Sequence, residues 1–528
     1  SDSLSIEASG QVAGLCAAAD CGVGVDIALK NAREKLEQLP GPVRGSKLVQ
    51  APGTGRKRFI CFDEDVTIKN IYQACDLGFD KVELTKRFST AGLGPGQGGI
   101  PGPNLPMIVA QYRQYYGDSS ATVLPTTVRP PLVPVSLSTY AAGNHDTFKQ
   151  TPLHAVMERT PGVVFRRAGA WKRVRYFTDD FTCRSEIENV RNNVGIMDAS
   201  TLGKFRIFGP DALKALQRVY VGDMSKISEG RIKYSAMCNE DGCLMDDGVV
   251  TKRRNNDYYF TSSSNRADTT VEWIRYHTRH ENWDFNLVNL TDAFGVVNLA
   301  GPNARGVLEK ITDADVSNEA LPYAAYREFD LRGAISIRAM RLGFMGELSY
   351  ELHVPASYMR SVWSLVLHAG GDYGIRPFGL EAQNVLRLEK GHVIIGQESE
   401  IRTTLHDLRL GFLWHRQKSL YKTVGAPALK FTEHQDGRMK LVGFKMENPE
   451  RPAKDGAIIV DKTIQGHICT SRYSFTLGES IGLALVASDL ADMGTRFEIF
   501  EDNMGDSRLY ATVVPTPFYD PDGNRLKM

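Results

Sequence analysis

Two adjacent carboxylates, Asp246 and Asp247, follow the run Tyr234-Ser-Ala-Met-Cys-Asn-Glu-Asp-Gly-Cys-Leu-Met245 and precede Val249-Val250. The order reads as strand, tight Asp-Gly turn, strand, with both carboxylates at the inner edge of a hairpin. Neighbouring strand residues point to opposite faces, so only one of the pair can look into a pocket. A carboxylate in a cleft is suited to proton transfer, whereas a solvated hairpin carboxylate is the plainer alternative. A second pair lies in Gly343-Phe-Met-Gly-Glu-Leu-Ser-Tyr-Glu351, where Glu347 and Glu351 stand four apart in a Gly-punctuated strand and are expected to share a face. Glu351 sits between Tyr350 and Leu352, which implies partial burial and a partner. The plainer reading is a structural salt bridge with an arginine.

Other spacings carry less chemistry. Gly94-Pro-Gly-Gln-Gly-Gly99 matches G-x-G-x-x-G by letter, but it follows no buried strand. Pro101-Gly-Pro103 comes straight after it, so a glycine-rich turn with no helix N-terminus is expected. Cys16 with Cys21, and Cys238 with Cys243, are each five apart without further grouped ligands, and are read as buried, inert thiols. None of the eleven His stands in a His-x-x-x-His or His-Glu-x-x-His pattern. No Gly-x-Ser-x-Gly elbow or P-loop is present. No metal site is expected.

The elements that must position these groups are spread over 528 residues, a length that predicts three to four domains. Hydrophobic residues at 42% and charged residues at 24% are ordinary globular proportions, which excludes disordered and fibrous classes. Lys+Arg 63 against Asp+Glu 62 leaves a formal charge of +1, so no global field holds a nucleic acid or an anionic membrane. Eight cysteines without a dense framework point to a reducing compartment. The start, Ser1-Asp-Ser-Leu-Ser-Ile-Glu7, lacks a basic n-region, an apolar h-region and an initiator Met, and reads as a mature, split or truncated product. No stretch approaches 18 apolar residues, so no membrane insertion is expected.

Residues 12–40 read as a lone helix ended by Pro40-Gly41. Residues 46–115 form a small, mainly helical unit, in which strand-like Arg58-Phe-Ile-Cys-Phe62 precedes a helix capped by a Thr or Asp. The Pro-containing stretch 116–150 reads as an extended connector. From 151 to about 415, strands such as Lys204-Phe-Arg-Ile-Phe208 and Asp257-Tyr-Tyr-Phe-Thr261 mix with helices, an α+β pattern without the alternation of a doubly wound sheet. Beyond about 436 come short strands split by turns, which fit a small β-barrel.

Several segments together carry a resemblance. The Tyr234 to Asp247 run, Gly346-Glu-Leu-Ser-Tyr-Glu351, Leu386-Arg-Leu-Glu-Lys-Gly-His392 with Gly396-Gln-Glu398, and Thr470-Ser-Arg-Tyr-Ser-Phe-Thr-Leu-Gly478 resemble, in this order, the glycine-cleavage T-protein, an aminomethyltransferase. Arg129-Pro-Pro-Leu-Val-Pro-Val135, Gln150-Thr-Pro-Leu-His154, Gly169-Ala-Trp-Lys-Arg173, Met197-Asp-Ala-Ser-Thr-Leu-Gly-Lys204 and Phe518-Tyr-Asp-Pro-Asp-Gly-Asn-Arg-Leu526 resemble more closely the C-terminal half of the alpha subunit of heterotetrameric sarcosine oxidases. Asp65-Val-Thr67 and Lys86-Arg-Phe-Ser-Thr-Ala-Gly-Leu-Gly94 are similar to that subunit's small helical domain.

The resemblance implies an aminomethyltransferase-like α+β fold with a C-terminal β-barrel, in which tetrahydrofolate captures a one-carbon unit. By position it implies Asp247 as the catalytic carboxylate, and Leu202, Tyr234, Phe344 and Glu351 as cofactor-binding residues. A pterin needs a carboxylate for its N–H groups and apolar or aromatic walls, and these residue types supply both. It also implies a division into a dinucleotide-domain remnant at 1–45, a helical domain at 46–115, a connector at 116–150, the folate-binding domain at 151–435 and the barrel at 436–528. The T-protein's Asn near Ser263 and Arg near Gln383 are missing, so chemistry on a lipoyl carrier is not expected. Cys61 stands alone, so no iron–sulfur cluster is expected either. The implied function is a folate-binding subunit of an N-methyl amine oxidase or dehydrogenase that yields 5,10-methylenetetrahydrofolate. Its flavoprotein partner subunits would carry FAD or FMN, in the cytoplasm or, in a eukaryote, the mitochondrial matrix. The alternatives are a non-catalytic folate-binding or scaffold subunit, or a free-standing folate-dependent demethylase.

Overall fold

The computed structural model describes residues 11–18, 26–37, 57–118, 137–140, 147–177, 182–416, 423–501 and 508–528. The chain divides into two compact units, Ser1–His145 and Asp146–Met528. In the first unit, Phe59–Cys61 pairs with Val66–Thr67, and the helices Ile68–Asp76, Val82–Ser89 and Pro101–Tyr115 follow. Thr67 caps the first of these helices in a reciprocal box with Asn70, and Ile71, Ala74 and Cys75 turn its apolar face inward. The helices 11–18 and Asp26–Glu37 precede this group, so the stretch expected to hold one helix holds two.

Three expectations for this unit need correction. A helix does start just past the glycine turn, at Pro101. Proline suits the first helical turn, whose N–H groups have no intrahelical acceptor, so Pro101 and Pro103 open the helix instead of blocking it. The turn itself folds onto Asp63, whose Oδ2 accepts from the Gly96 N–H at 2.6 Å. Cys16 is half-exposed, as is Cys243 in the second unit, while Cys238 is buried. Cys21 and the Pro40-Gly41 stop lie outside the described residues, as does most of the 116–150 stretch. Where that stretch is described, Leu137–Tyr140 is helical, not extended.

The second unit is built on two facing sheets. One has the order Asn286–Asn289, Gly203–Phe208, Asp257–Ser262, Leu244–Arg254, Ile232–Cys238, antiparallel throughout. Its outer face, with Phe205, Ile207, Met237, Val250 and Phe260, packs on the helices Ala212–Val219 and Ala267–Thr278. The other has the order Ala325–Leu331, Ile335–Arg341, Ser349–Pro355, Phe294–Ala300, Gly195–Asp198, Arg376–Pro377, with only the last pair parallel. Val297, Leu299, Ile337, Tyr350 and Leu352 cover its outer face against the helices Ala304–Ile311 and Met359–Ala369. Tyr259 of the first sheet packs on Tyr326 and Met340 of the second, which joins the inner faces. This α+β core is followed by a closed barrel formed by Lys440–Met446, Glu479–Val486, Thr463–Ser474, Ile458–Asp461, Arg496–Phe500 and Leu509–Val514.

The strand Ser349–Pro355 shows why the interior is unusual. Its alternation of Ser, Glu and His with Tyr, Leu and Val is the pattern of a strand with one wet face. Six of its seven residues are nevertheless buried, so the polar side faces the other sheet. In the opposite sheet Gly203–Phe208 alternates the same way, with Lys204 and Arg206 turned from the Phe205–Ile207 core. Close strand approach is needed at Gly248, where an added Cβ would lie 2.0 Å from the Thr261 carbonyl oxygen. Gly248→Ala is therefore expected to cost about 1–3 kcal/mol, read as a lower denaturant midpoint.

Candidate active site

Asp247 lies on the inner face of the strand Leu244–Arg254, paired across the ladder with Ala236, and Tyr234 is two residues before Ala236 on the neighbouring strand. That register brings the Tyr234 hydroxyl to Asp247, where it donates to Oδ2 at 2.5 Å. Burial pushes the Asp247 carboxyl up to about 6, and the Tyr234 hydrogen bond works against that rise. Asp246 points the other way, as strand geometry requires, and is only 2% exposed. Its carboxylate accepts from the Ser263 hydroxyl at 2.6 Å and the Ser263 N–H at 3.2 Å. Burial first, and the neighbouring Asp247 charge second, push Asp246 up to about 7. Two carboxyls in sequence therefore titrate near neutrality, the inner one in the hands of a phenol. Ser263, singled out because it replaces an expected Asn, is the residue that holds Asp246.

Glu351 faces the same interior from the second sheet, with Asn298 and Met340 as its register partners. It is nearly buried, and no arginine pairs with it among the described contacts; its ionic neighbour is His353, with Nε2 3.5 Å from Oε2. The Tyr259 hydroxyl meets His353 Nδ1 at 2.9 Å, and the Arg338 guanidinium stacks on the Tyr259 and Phe294 rings. Lys204 is fully buried with Nζ donating to the Ser200 carbonyl at 2.6 Å. Burial pulls its ammonium down to about 8 despite the opposing charges of Asp198, Asp292 and Glu351. Asn298 Oδ1 and Arg338 Nη1 are buried without hydrogen-bond partners. Unpaired polar atoms beside a buried carboxylate are what a site built around a polar ligand presents.

The remaining expected residues stand on separate segments. Leu202 is half-buried in the turn entering Gly203–Phe208, next to Thr201, whose hydroxyl meets that of Ser264 at 2.7 Å. Ser264 also lines a recess of about 360 Å³ with Trp171, Asn265, Thr291 and Asp292. Phe344 is half-buried against Phe378 and Leu386, and its ring stacks on His392 at 5.6 Å. Glu347 does not share a face with Glu351, contrary to expectation. The strand starts only at Ser349, after a bend in which Gly346 takes φ +83°, so the i, i+4 rule fails there. Glu347 instead joins a buried ion cluster with Arg191 and Arg525, each at 3.0 Å. Residue patterning passed over Lys204, Tyr259, Asn298, Arg338 and His353. The available signal was the polar alternation in Ser349-Tyr-Glu-Leu-His353 and Lys204-Phe-Arg206.

Known proteins share this architecture. Residues 153–418 match the GCVT N-terminal domain family, residues 439–520 the glycine cleavage T-protein C-terminal barrel domain, and residues 55–144 the sarcosine oxidase A3 domain. The aminomethyltransferase of Geobacillus sp. (strain WCH70) is 31% identical over 371 residues, covering 70% of this chain and 98% of that protein. The crystal structure of glycine cleavage system aminomethyltransferase T from Bartonella henselae superposes with a TM-score of 0.63 at 21% identity, covering 71% of this chain and 99% of that one. The chain belongs to the aminomethyltransferase, or glycine cleavage T-protein, family. Within it, the chain is similar along most of its length to the sarcosine oxidase subunit alpha of Rhizobium meliloti (strain 1021), at 33% identity over 517 residues and 93% of this chain. It spans about half the length of the curated sarcosine oxidase relatives it matches. No helix among the described residues is long and apolar enough to cross a membrane.

Proposed function

We propose that this chain is the tetrahydrofolate-binding part of a sarcosine-oxidase-like N-methyl amine oxidoreductase, and that it directs an amine-derived one-carbon unit onto folate. The observation that carries the proposal is the interior between the sheets. A carboxyl poised near neutrality, Asp247, faces it from one side, and from the other faces a buried carboxylate, Glu351, ringed by polar atoms without partners. The same polar atoms argue that the site fits a pterin, since Glu351 can accept from amino and ring N–H groups while Asn298 and Arg338 offer an acceptor and a donor. Leu202, Tyr234 and Phe344 supply apolar or aromatic wall to such a site.

Tetrahydrofolate supplies two amine nitrogens able to hold one carbon between them. Asp247 Oδ1, the oxygen not engaged by Tyr234, takes a proton from a folate amine and can return it to the departing amine. Capture of an iminium carbon exchanges two folate N–H bonds for two N–C bonds, the second proton leaving with the departing amine as its ammonium, so no proton is taken up. Ionised Asp247 also stabilises the cation before capture. Tyr234 keeps the carboxylate oriented and remains a donor, because burial and the Asp247 charge raise its own ionisation far above neutrality. In this reading, amine oxidation takes place on a flavoprotein partner subunit carrying FAD or FMN.

Titration with tetrahydrofolate tests the binding step. Glu351→Gln, which keeps the shape but loses the charge-assisted acceptor, is expected to weaken binding by about ten- to a hundredfold. Unchanged affinity in that variant counts against the site. Turnover of an N-methyl amine by the purified chain without any flavoprotein would favour a free-standing demethylase.

A further inference from the structure

We infer that His353 is the positioning residue for Glu351, holding its carboxylate through Nε2–H in the orientation that receives the ligand. The inference rests on the reading of the interior as a tetrahydrofolate site. His353 is fully buried on the polar side of Ser349–Pro355, two residues beyond Glu351, so both side chains leave the strand in the same direction. Its register partner on the next strand is Arg338, and Tyr259 reaches it from the opposite sheet.

The chain of donors fixes which ring nitrogen carries the proton. The Arg338 guanidinium lies over the Tyr259 ring, and a proton on His353 Nδ1 would leave the Nε2 lone pair facing the Glu351 carboxylate, so the arrangement favours the Tyr259 hydroxyl as donor to Nδ1. Burial raises the phenol's ionisation well above neutrality, and it therefore stays a donor. The group within its reach is His353 Nδ1 at 2.9 Å. Burial also holds His353 below the usual histidine range, so the ring is neutral and has one N–H to place. With Nδ1 accepting, that N–H is on Nε2, 3.5 Å from Glu351 Oε2. At that distance Nε2 is buried without a hydrogen-bond partner, and the contact would become a hydrogen bond when a ligand draws the carboxylate into line. One oxygen of Glu351 would then be committed to the protein and the other left for the ligand.

The test is tetrahydrofolate affinity in the complete protein, with the thermal midpoint followed in parallel. His353→Leu fills the space without a donor and is expected to weaken binding by about tenfold or more, while His353→Gln, which restores an N–H, stays within about threefold of wild type. In the double variant His353→Leu/Glu351→Gln the losses should fail to add, since both remove one arrangement. Wild-type affinity in His353→Leu, or full additivity, overturns the positioning role while leaving the folate site standing. Absence of binding by the wild-type protein overturns the folate reading and this inference with it. Should His353→Leu not fold, the ¹⁵N signature of the His353 ring in the wild-type protein decides: a proton on Nε2 supports the arrangement, and a proton on Nδ1 overturns it.

Discussion

Asp247→Asn should lower the rate of 5,10-methylenetetrahydrofolate formation by about 10²–10⁴-fold and, at the same time, make the protein more stable at pH 8. The first effect follows from removing the proposed proton acceptor while keeping its shape and its contact with Tyr234. The second follows from the sign of the shift. The folded-state carboxyl is raised from 3.8 to about 6, so between those values the native protein holds a proton that the unfolded chain has released. Wild-type stability from this group is full below about pH 4 and falls as pH rises through 6. Asparagine carries no such penalty, so the gain in the variant should grow between pH 4 and 6, level off above, and reach at most about 3 kcal/mol. Rate assays in a complex reconstituted with the proposed flavoprotein partner, together with thermal midpoints across that pH range, check both halves. A variant that keeps its product yield overturns the catalytic role. A difference in stability that does not change with pH overturns the claim of a buried charge.

The second large effect is expected at Arg387, on the helix Leu380–Glu389. Its guanidinium is fully buried and donates to Glu398 at 2.9 Å, to the Thr470 hydroxyl of the barrel at 3.0 Å and to the His392 carbonyl at 2.9 Å. Glu398 is equally buried and also accepts from Thr470 and from the Ile394 N–H. Arg387→Met would strand the Glu398 charge without its counterion, at a cost of about 3–5 kcal/mol. Replacing both, as Arg387→Met/Glu398→Gln, should recover most of that loss, because a neutral pair needs no compensation. Denaturant unfolding of the two variants separates the cases. If the double variant is no more stable than the single, lost packing rather than a stranded charge is the cause.

The architecture was legible where local pattern and fold agree. Lys204-Phe-Arg-Ile-Phe208 and Asp257-Tyr-Tyr-Phe-Thr261 form strands, and the barrel appears where turn-split strands were expected. In the barrel strand Arg496–Phe500 the order Arg, Phe, Glu, Ile alternates with the pleat, Phe497 and Ile499 being buried, and only the exposed Phe500 is out of step. Glu347 was misplaced because it lies in the bend that follows left-handed Gly346, before the strand begins at Ser349, where the two-residue alternation does not hold. At the site, the contact between Tyr234 and Asp247 depends on hairpin register, which a short turn makes almost local. The His353, Tyr259 and Arg338 group depends on which sheet face meets which, and that is a property of the assembled chain. A polar stripe along one strand looks the same in sequence whether it meets water or a second sheet.

The barrel has an inner core of its own, with Phe444, Ile459, Ile468 and Val513, yet Leu441, Cys469, Ile481, Leu483 and Leu485 belong to a different cluster, shared with Ala236, Leu244, Leu388 and Leu405 of the sheet body. Each piece's share of that cluster would lie bare if the two were parted. Recombination that exchanged the barrel alone would have to match a foreign apolar surface side chain by side chain. The two are therefore expected to have been inherited as one evolutionary unit, with changes at the seam arising in compensating pairs.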